Sequence, residues 1–145
     1  MGEVSALAAE HRQIAAMARA LAATVSGNVL PDPLAFLHFR REFGRVLTRH
    51  LKRREWAVYP QLTAHRDPRV RALAEELCAD GQRFSADFAA YAGRWTAQKI
   101  GAEWECFRVE TLLIVGRLLD RIDAEDNRLY PLLAEQEVAP LRLAG

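Results

Sequence analysis

A chain of 145 residues with a formal net charge of +1 at pH 7 fits one domain, which we expect to span residues 1–145. The near-neutral charge disfavours nucleic acid and anionic membrane surfaces as partners. No apolar run is long enough to cross a bilayer, and the N-terminus lacks a basic segment followed by an apolar one. We interpret Cys78 and Cys106, which lie in helical patterns without metal-type spacing, as buried thiols of a cytoplasmic protein.

Apolar residues recur every three or four positions along the chain, which predicts an all-α protein with four long helices. In chain order these helices cover about residues 2–25, 33–64, 68–100 and, after a short joint, a segment that ends near residue 132. Asp32-Pro33 and Asp67-Pro68 each combine a capping aspartate with a proline at the first helical position. Short joints between long helices favour an antiparallel up-down-up-down four-helix bundle.

One segment of the chain occurs twice, as residues 50–62 and again, 71 positions later, as residues 121–133. Such a repeat predicts two similar helical hairpins about a pseudo-twofold axis, with matched residues facing each other. At two positions the copies carry side chains of different chemistry: His50 is matched with Arg121, and Arg54 is matched with Glu125.

Both copies contain a Tyr-Pro pair, Tyr59-Pro60 and Tyr130-Pro131, inside the helical pattern. A proline inside a helix removes one backbone hydrogen bond, so each is expected to kink or end its helix. The occurrence of the same Tyr-Pro pair in both copies supports the interpretation that the two segments are a repeat.

Charged and imidazole side chains interrupt the apolar faces of the predicted helices at about the same level. They are His11, His50, Arg54, Arg121, Glu125 and, in one phasing of the third helix, Asp80. A buried unpaired charge is costly, so these groups must satisfy one another or bind something. Two solutions are open: a metal ion held by imidazoles and carboxylates, or a set of arginine–carboxylate pairs.

Three features carry a resemblance to a known family: Glu10-His11-Arg12 near the start of the first helix, His50 with an acidic residue following it, and the two Tyr-Pro endings. Together they resemble the hemerythrin-like, or HHE cation-binding, domains over almost the whole chain. The resemblance implies a four-helix bundle with a non-haem di-iron centre, held by histidines from all four helices and by bridging carboxylates. It also implies oxygen binding, sensing of oxygen, iron or redox state, or protection against nitric oxide.

Carried over residue by residue, the resemblance implies three surviving metal ligands. His11 and His50 match the histidines of the first and second helices, and Glu125 matches the carboxylate of the fourth, with Asp126 as a competing choice.

The remaining ligand positions depart from the family pattern. Arg54 stands at the second-helix carboxylate position, beside Glu55, and Arg121 stands at the fourth-helix histidine position. The third helix offers Asp80 and Gly81 where the family has histidine. A guanidinium cannot be deprotonated and repels a metal dication, so both arginines argue against an intact di-iron centre.

The first hypothesis is therefore a binding or sensory module, not an enzyme, that has lost its di-iron centre and holds no cofactor. In its place we expect a buried network in which Arg54 pairs with Glu125, and Arg121 pairs with Glu55, Asp80 or Asp126. The alternative is a protein that binds non-haem iron at a reduced site of His11, His50 and Glu125, and handles oxygen, nitric oxide or redox signals. The first hypothesis expects the protein to act through an unidentified protein or small-molecule partner, and a homodimer is compatible with either hypothesis.

Overall fold

The computed structural model describes residues 2–27 and 31–135, and this part of the chain contains helices and no strands. The prediction of an all-α protein is confirmed. The α-helices are α1 (Gly2–Ser26), α2 (Pro33–Arg53), α3 (Tyr59–Thr63), α4 (Pro68–Arg94), α5 (Ala97–Ala102) and α6 (Trp104–Ala124). Two π-helical segments, π1 (Arg54–Val58) and π2 (Glu125–Leu129), continue α2 and α6, and helical structure runs on through residues 130–135.

The two predicted aspartate caps begin α2 and α4. The Asp32 carboxylate accepts a hydrogen bond from the backbone N–H of Ala35 at 3.0 Å, and Asp67 accepts one from that of Arg69 at 2.8 Å. Each satisfies a backbone donor that would otherwise lack a partner in the first helical turn.

The third long helix is shorter than the sequence pattern predicted, and α5 was not predicted. The α4 helix ends at Arg94, because Trp95 leaves the helical conformation with φ −93° and ψ 80°. Thr96 then caps α5 by accepting a hydrogen bond from the backbone N–H of Lys99 at 3.2 Å. The apolar periodicity runs through this break, so periodicity alone could not locate it.

Two apolar clusters fill the interior. The larger one joins α1, α2, α4, α5 and α6 and is rich in aromatic rings, whereas the smaller one joins α1, π1, α3, α4 and π2. The α1 and α4 helices run from the smaller cluster to the larger one, and α2–π1 and α6–π2 run from the larger to the smaller. The residues that separate the clusters on the four helices are His11, Arg54, Gly81 and Glu125.

Each π segment begins at a matched position of the repeat, Arg54 in one copy and Glu125 in the other. The backbone N–H of Tyr59 donates a hydrogen bond to the carbonyl of Arg54, and that of Tyr130 donates one to the carbonyl of Glu125. Each bond spans five residues, as in a π-helix. The wider turn accommodates the proline that follows each tyrosine, since a proline lacks an N–H and crowds the carbonyl four residues earlier. The helices therefore do not end at the prolines but continue past them through a wider, π-helical turn.

The prediction that both cysteines are buried is wrong for Cys106. Cys78 is half-buried, but Cys106 is exposed. Cys106 lies about 100° around α6 from the fully buried Phe107, on the exposed side of the helix. Within residues 2–27 and 31–135, no helix combines the length and the hydrophobicity needed to cross a lipid bilayer.

Candidate metal centre and ion-pair network

Five polar side chains lie buried at the level between the two apolar clusters. We call this group the polar cluster; its members and their exposed fractions are His11 (1%), His50 (4%), Arg54 (4%), Arg121 (8%) and Glu125 (2%). They come from α1, α2, π1, α6 and π2, so the cluster requires the packed bundle.

One half of the polar cluster is a candidate metal centre. His11, His50 and Glu125 each offer a ligand atom, and these atoms lie within 4.8 Å of one another. The imidazole rings meet edge to face with their centroids 5.0 Å apart. Two imidazoles and one carboxylate form a donor set that suits non-haem iron(II) and leaves other coordination positions open.

A carboxylate orients each of the two imidazoles. The Nδ1 atom of His11 lies 2.8 Å from Oδ1 of Asp126, and Nδ1 of His50 lies 2.7 Å from Oε1 of Glu10. A carboxylate on one ring nitrogen leaves the other nitrogen for a metal, and this pairing is usual behind metal-bound histidines. In His11 the other nitrogen, Nε2, lies 3.4 Å from Oε1 of Glu125 and is buried without a hydrogen-bond partner among the described residues. In the neutral form of His11 this nitrogen offers its lone pair to a cation.

The two imidazoles differ in proton affinity. Burial lowers the pKa of His50 and prevails over the carboxylate of Glu10, so His50 is neutral and ready to bind a metal. Burial also lowers the pKa of His11, but the carboxylates of Glu125 and Asp126 outweigh it and raise the pKa above its usual 6.5. A metal ion must therefore displace a proton from His11 near neutral pH.

The other half of the polar cluster is an ion-pair network centred on Glu125. The Nε atom of Arg54 donates to Oε2 of Glu125 at 2.9 Å, and the hydroxyl of Tyr59 donates to the same oxygen at 2.5 Å. The guanidinium also lies over the Tyr59 ring, 4.8 Å from its centroid. Both donors bind Oε2, and the other oxygen of the carboxylate, Oε1, faces His11.

These contacts keep Glu125 ionised. Burial raises the pKa of this carboxyl, but His11, the Arg54 charge and the Tyr59 hydroxyl together lower it from 4.5 to about 2. The contribution of Glu125 to stability is therefore complete above pH 4.5 and is lost as the pH falls towards 2.

Of the three carboxylates that the sequence offered to Arg121, the structure brings Asp80 to it. The Nη1 atom of Arg121 donates to Oδ2 of Asp80 at 2.5 Å, and the Asp80 side chain is 46% exposed. Asp126 binds His11 instead, and Glu55 is exposed, so neither pairs with Arg121.

Sequence reasoning missed three contributors to the site. Glu10 was noticed only as part of the family motif, although it orients His50. Tyr59 was noticed only as part of the Tyr-Pro repeat, yet it donates to Glu125. The aromatic ring of Tyr130 stacks on His11 with centroids 5.6 Å apart, and its buried hydroxyl has no partner among the described residues. The Tyr-Pro repeat was the signal for both tyrosines.

The fold and the site define an all-helical protein with a buried candidate cation centre. Residues 3–133 match the hemerythrin HHE cation-binding domain family, so the chain belongs to that family, and the resemblance drawn from the sequence is confirmed. No curated protein and no solved structure is significantly similar to the chain.

Among the described residues, His11, His50 and Glu125 form a donor set that fits a metal ion of the kind this family binds. The other oxygen of Glu125 binds Arg54, and the guanidinium of Arg121 lies with that of Arg54 against Gly81. A guanidinium has no lone pair to offer a metal. The expectation that the domain holds no cofactor is not supported, since the family binds cations and His11 Nε2 is left without a partner.

Proposed function

We propose that this domain binds a single iron(II) ion through His11, His50 and Glu125, and that Arg54 and Arg121 occupy the space of a second ion. One observation carries the proposal: three buried ligand atoms lie within 4.8 Å of one another, and a carboxylate backs each imidazole. Iron held by two imidazoles and one carboxylate keeps open positions for a small ligand such as dioxygen or nitric oxide. The role that follows is sensing or handling such a ligand.

A second candidate function is that of a metal-free module held together by ion pairs. It is favoured by the 2.9 Å contact between Arg54 and Glu125, whose side chains are 5% and 3% exposed. In this case Glu125 would be structural, and the protein would act through a protein or small-molecule partner. Added iron distinguishes the two functions, because only the first expects it to bind.

The arrangement of the helices is proposed along with the site. We propose an antiparallel up-down-up-down bundle of two pseudo-symmetric hairpins, α1 with α2–π1–α3 and α4 with α6–π2. The alternating order of the two apolar clusters along successive helices supports it. A cytoplasmic location and a homodimer remain proposals that rest on the sequence.

Removal of metal is expected to leave the bundle folded. The two apolar clusters and the Arg54–Glu125 pair do not need a cation, so chelation by EDTA should preserve the helical circular dichroism spectrum. Loss of most of the helical signal on chelation would contradict this, because a metal essential to folding contributes its binding energy to stability.

Asp126 is expected to support metal binding through His11. The change Asp126→Ala should weaken iron(II) binding roughly 10–100-fold, as is typical when the group behind a metal-bound histidine is lost. The matched control is Asp123→Ala, because Asp123 is exposed on the same helix and accepts a hydrogen bond from Asn127 instead. Anaerobic calorimetric titration measures both variants, and equal affinities would show that Asp126 does not act on the site.

A further inference from the structure

A groove lies between α2 and α4 at the level of the larger apolar cluster, and the residues of the polar cluster are not among the described residues that line it. Its volume is about 380 Å³, which is within the range of small-molecule sites. Apolar side chains of the larger cluster form much of its lining, namely Leu21, Phe43, Phe88 and Tyr91. An apolar groove with a small number of charged groups is typical of a site for a small organic molecule.

Small residues line another part of the groove. They are Gly44 of α2, Ala92 of α4 and Ala97 of α5. A Cβ atom added at Gly44 would meet nothing within 4 Å outside its own stretch of helix. The space next to Gly44 is therefore open, and a longer side chain at this position would enter it.

The charged residues that line the groove in the described part of the chain are Arg40 and Arg41 of α2. Arg40 is half-buried, and its Cζ atom lies over the Tyr91 ring, 5.8 Å from the centroid. Neither arginine forms an ion pair with a described carboxylate, and the ion pairs of α2 are made by Arg45 and Arg53 instead. The groove therefore places positive charge beside an apolar surface without an acidic side chain to balance it.

The charge and the surface of the groove together define the ligand that complements it. A carboxylate matches the planar fork of a guanidinium and forms charge-assisted hydrogen bonds with it. An apolar body attached to the carboxylate would cover apolar surface of the groove and so gain free energy from burial. At about 30 Å³ for each water-sized group, a volume of about 380 Å³ holds roughly a dozen such groups.

We propose that this groove binds a small monocarboxylate with an apolar body, represented by octanoate. Its carboxylate pairs with Arg40 and Arg41, and its apolar body lies against Phe43, Phe88 and Tyr91. The groove is separate from the proposed iron centre, so the two proposals can fail independently.

The test uses the full chain after its metal has been removed with EDTA and the chelator has been dialysed away, because a metal ion could itself bind a carboxylate. Calorimetric titration with octanoate should show one saturable site per chain, with a Kd of roughly 1 mM or below. Octanol lacks the charge and acetate lacks the apolar body, so each should bind at least roughly tenfold more weakly. The absence of saturable octanoate binding, or binding of octanol or acetate as tight as that of octanoate, would overturn the proposal.

Two glycine variants test whether the ligand lies in the groove. Gly44→Leu places a side chain in the open space and should remove octanoate binding. The matched control is Gly116→Leu on α6, since Gly116 lies outside the groove and its added Cβ also meets nothing within 4 Å. Octanoate binding that survives Gly44→Leu would contradict the assignment to this groove.

Two arginine variants test the charge. Arg40→Gln should weaken octanoate binding roughly tenfold or more and leave octanol binding unchanged. Arg49→Gln removes the same charge from an exposed position of α2 outside the groove and should bind octanoate like the wild type. Equal losses in both variants would mean that the net charge alone matters, which would overturn the proposed pairing.

The backbone amide signal of Gly44 locates the ligand in nuclear magnetic resonance spectra. It should shift as octanoate is added, whereas the signal of Gly116 should not. A shift of the Gly44 signal on raising the protein concentration without octanoate would show that a second copy of the chain occupies the groove, and the proposal would fall.

Discussion

Replacing Glu125 with leucine is expected to lower the free energy of unfolding of the metal-free protein by about 3–5 kcal/mol. The reason is that Arg54 loses the carboxylate it contacts at 2.9 Å and is left as an uncompensated charge that is only 4% exposed. Urea denaturation of the metal-free protein measures this loss.

Arg54→Met is expected to cost less than Glu125→Leu, because Glu125 keeps the Tyr59 hydroxyl and His11 as partners. The double variant should recover much of the loss, since apolar groups of similar volume often replace a buried ion pair at little cost. With iron(II) present the variants should separate further. Glu125→Leu should abolish metal binding, and Arg54→Met should leave it intact or improve it, because a repelling cation has gone.

A surface pair provides the control for this double-mutant cycle. Arg128 and Glu76 are also 2.9 Å apart, but their side chains are 53% and 58% exposed. Their coupling should be no more than about 1 kcal/mol. If the effects of Arg54→Met and Glu125→Leu simply add, within a few tenths of a kcal/mol, the two residues do not interact and the ion-pair network must be abandoned.

His11→Ala is expected to lower the affinity for iron(II) by more than about 100-fold, a larger loss than is typical when an outer partner of a ligand is removed. Removing His11 leaves only His50 and Glu125 as donors. The exposed His38 supplies the control, and His38→Ala should bind iron like the wild type. Unchanged affinity in His11→Ala would remove this histidine from the centre.

The pH dependence of iron binding follows from the same residue. Since the pKa of His11 lies above 6.5, protons should compete with iron already at neutral pH. The affinity of the wild type should therefore rise as the pH is raised through the His11 pKa, whereas His11→Ala should lack this dependence.

The sequence predicted the helices and the members of the polar cluster, because both depend on periodicity and on the repeat. His11, Arg54 and Glu125 fall on inward faces, and the offset of 71 residues aligned Arg54 with Glu125. The partner of Arg121 was left open among three carboxylates, because which one reaches it depends on side-chain direction and on the phase of α4.

Other features depend on contacts that leave no pattern in one chain. The pairing of Glu10 with His50 joins two helices, and spacing within either helix does not reveal it. In the sequence, the only sign of the two π segments is a proline inside each helical pattern. A proline indicates that the helix is disturbed there but does not indicate how the backbone adapts. The need for a glycine at position 81 arises only once two arginines from other helices have packed against it.

The most direct test of the central claim is the iron content of the reconstituted protein. The chain is loaded with iron(II) without oxygen, freed of excess metal, and examined by elemental analysis and, after exposure to air, by ultraviolet–visible spectroscopy. We expect one iron ion per chain, no absorption band from an oxo-bridged iron pair, and no retained iron in His11→Ala. Two iron ions per chain with such a band, or no iron at all, would contradict a single-ion site beside a guanidinium network.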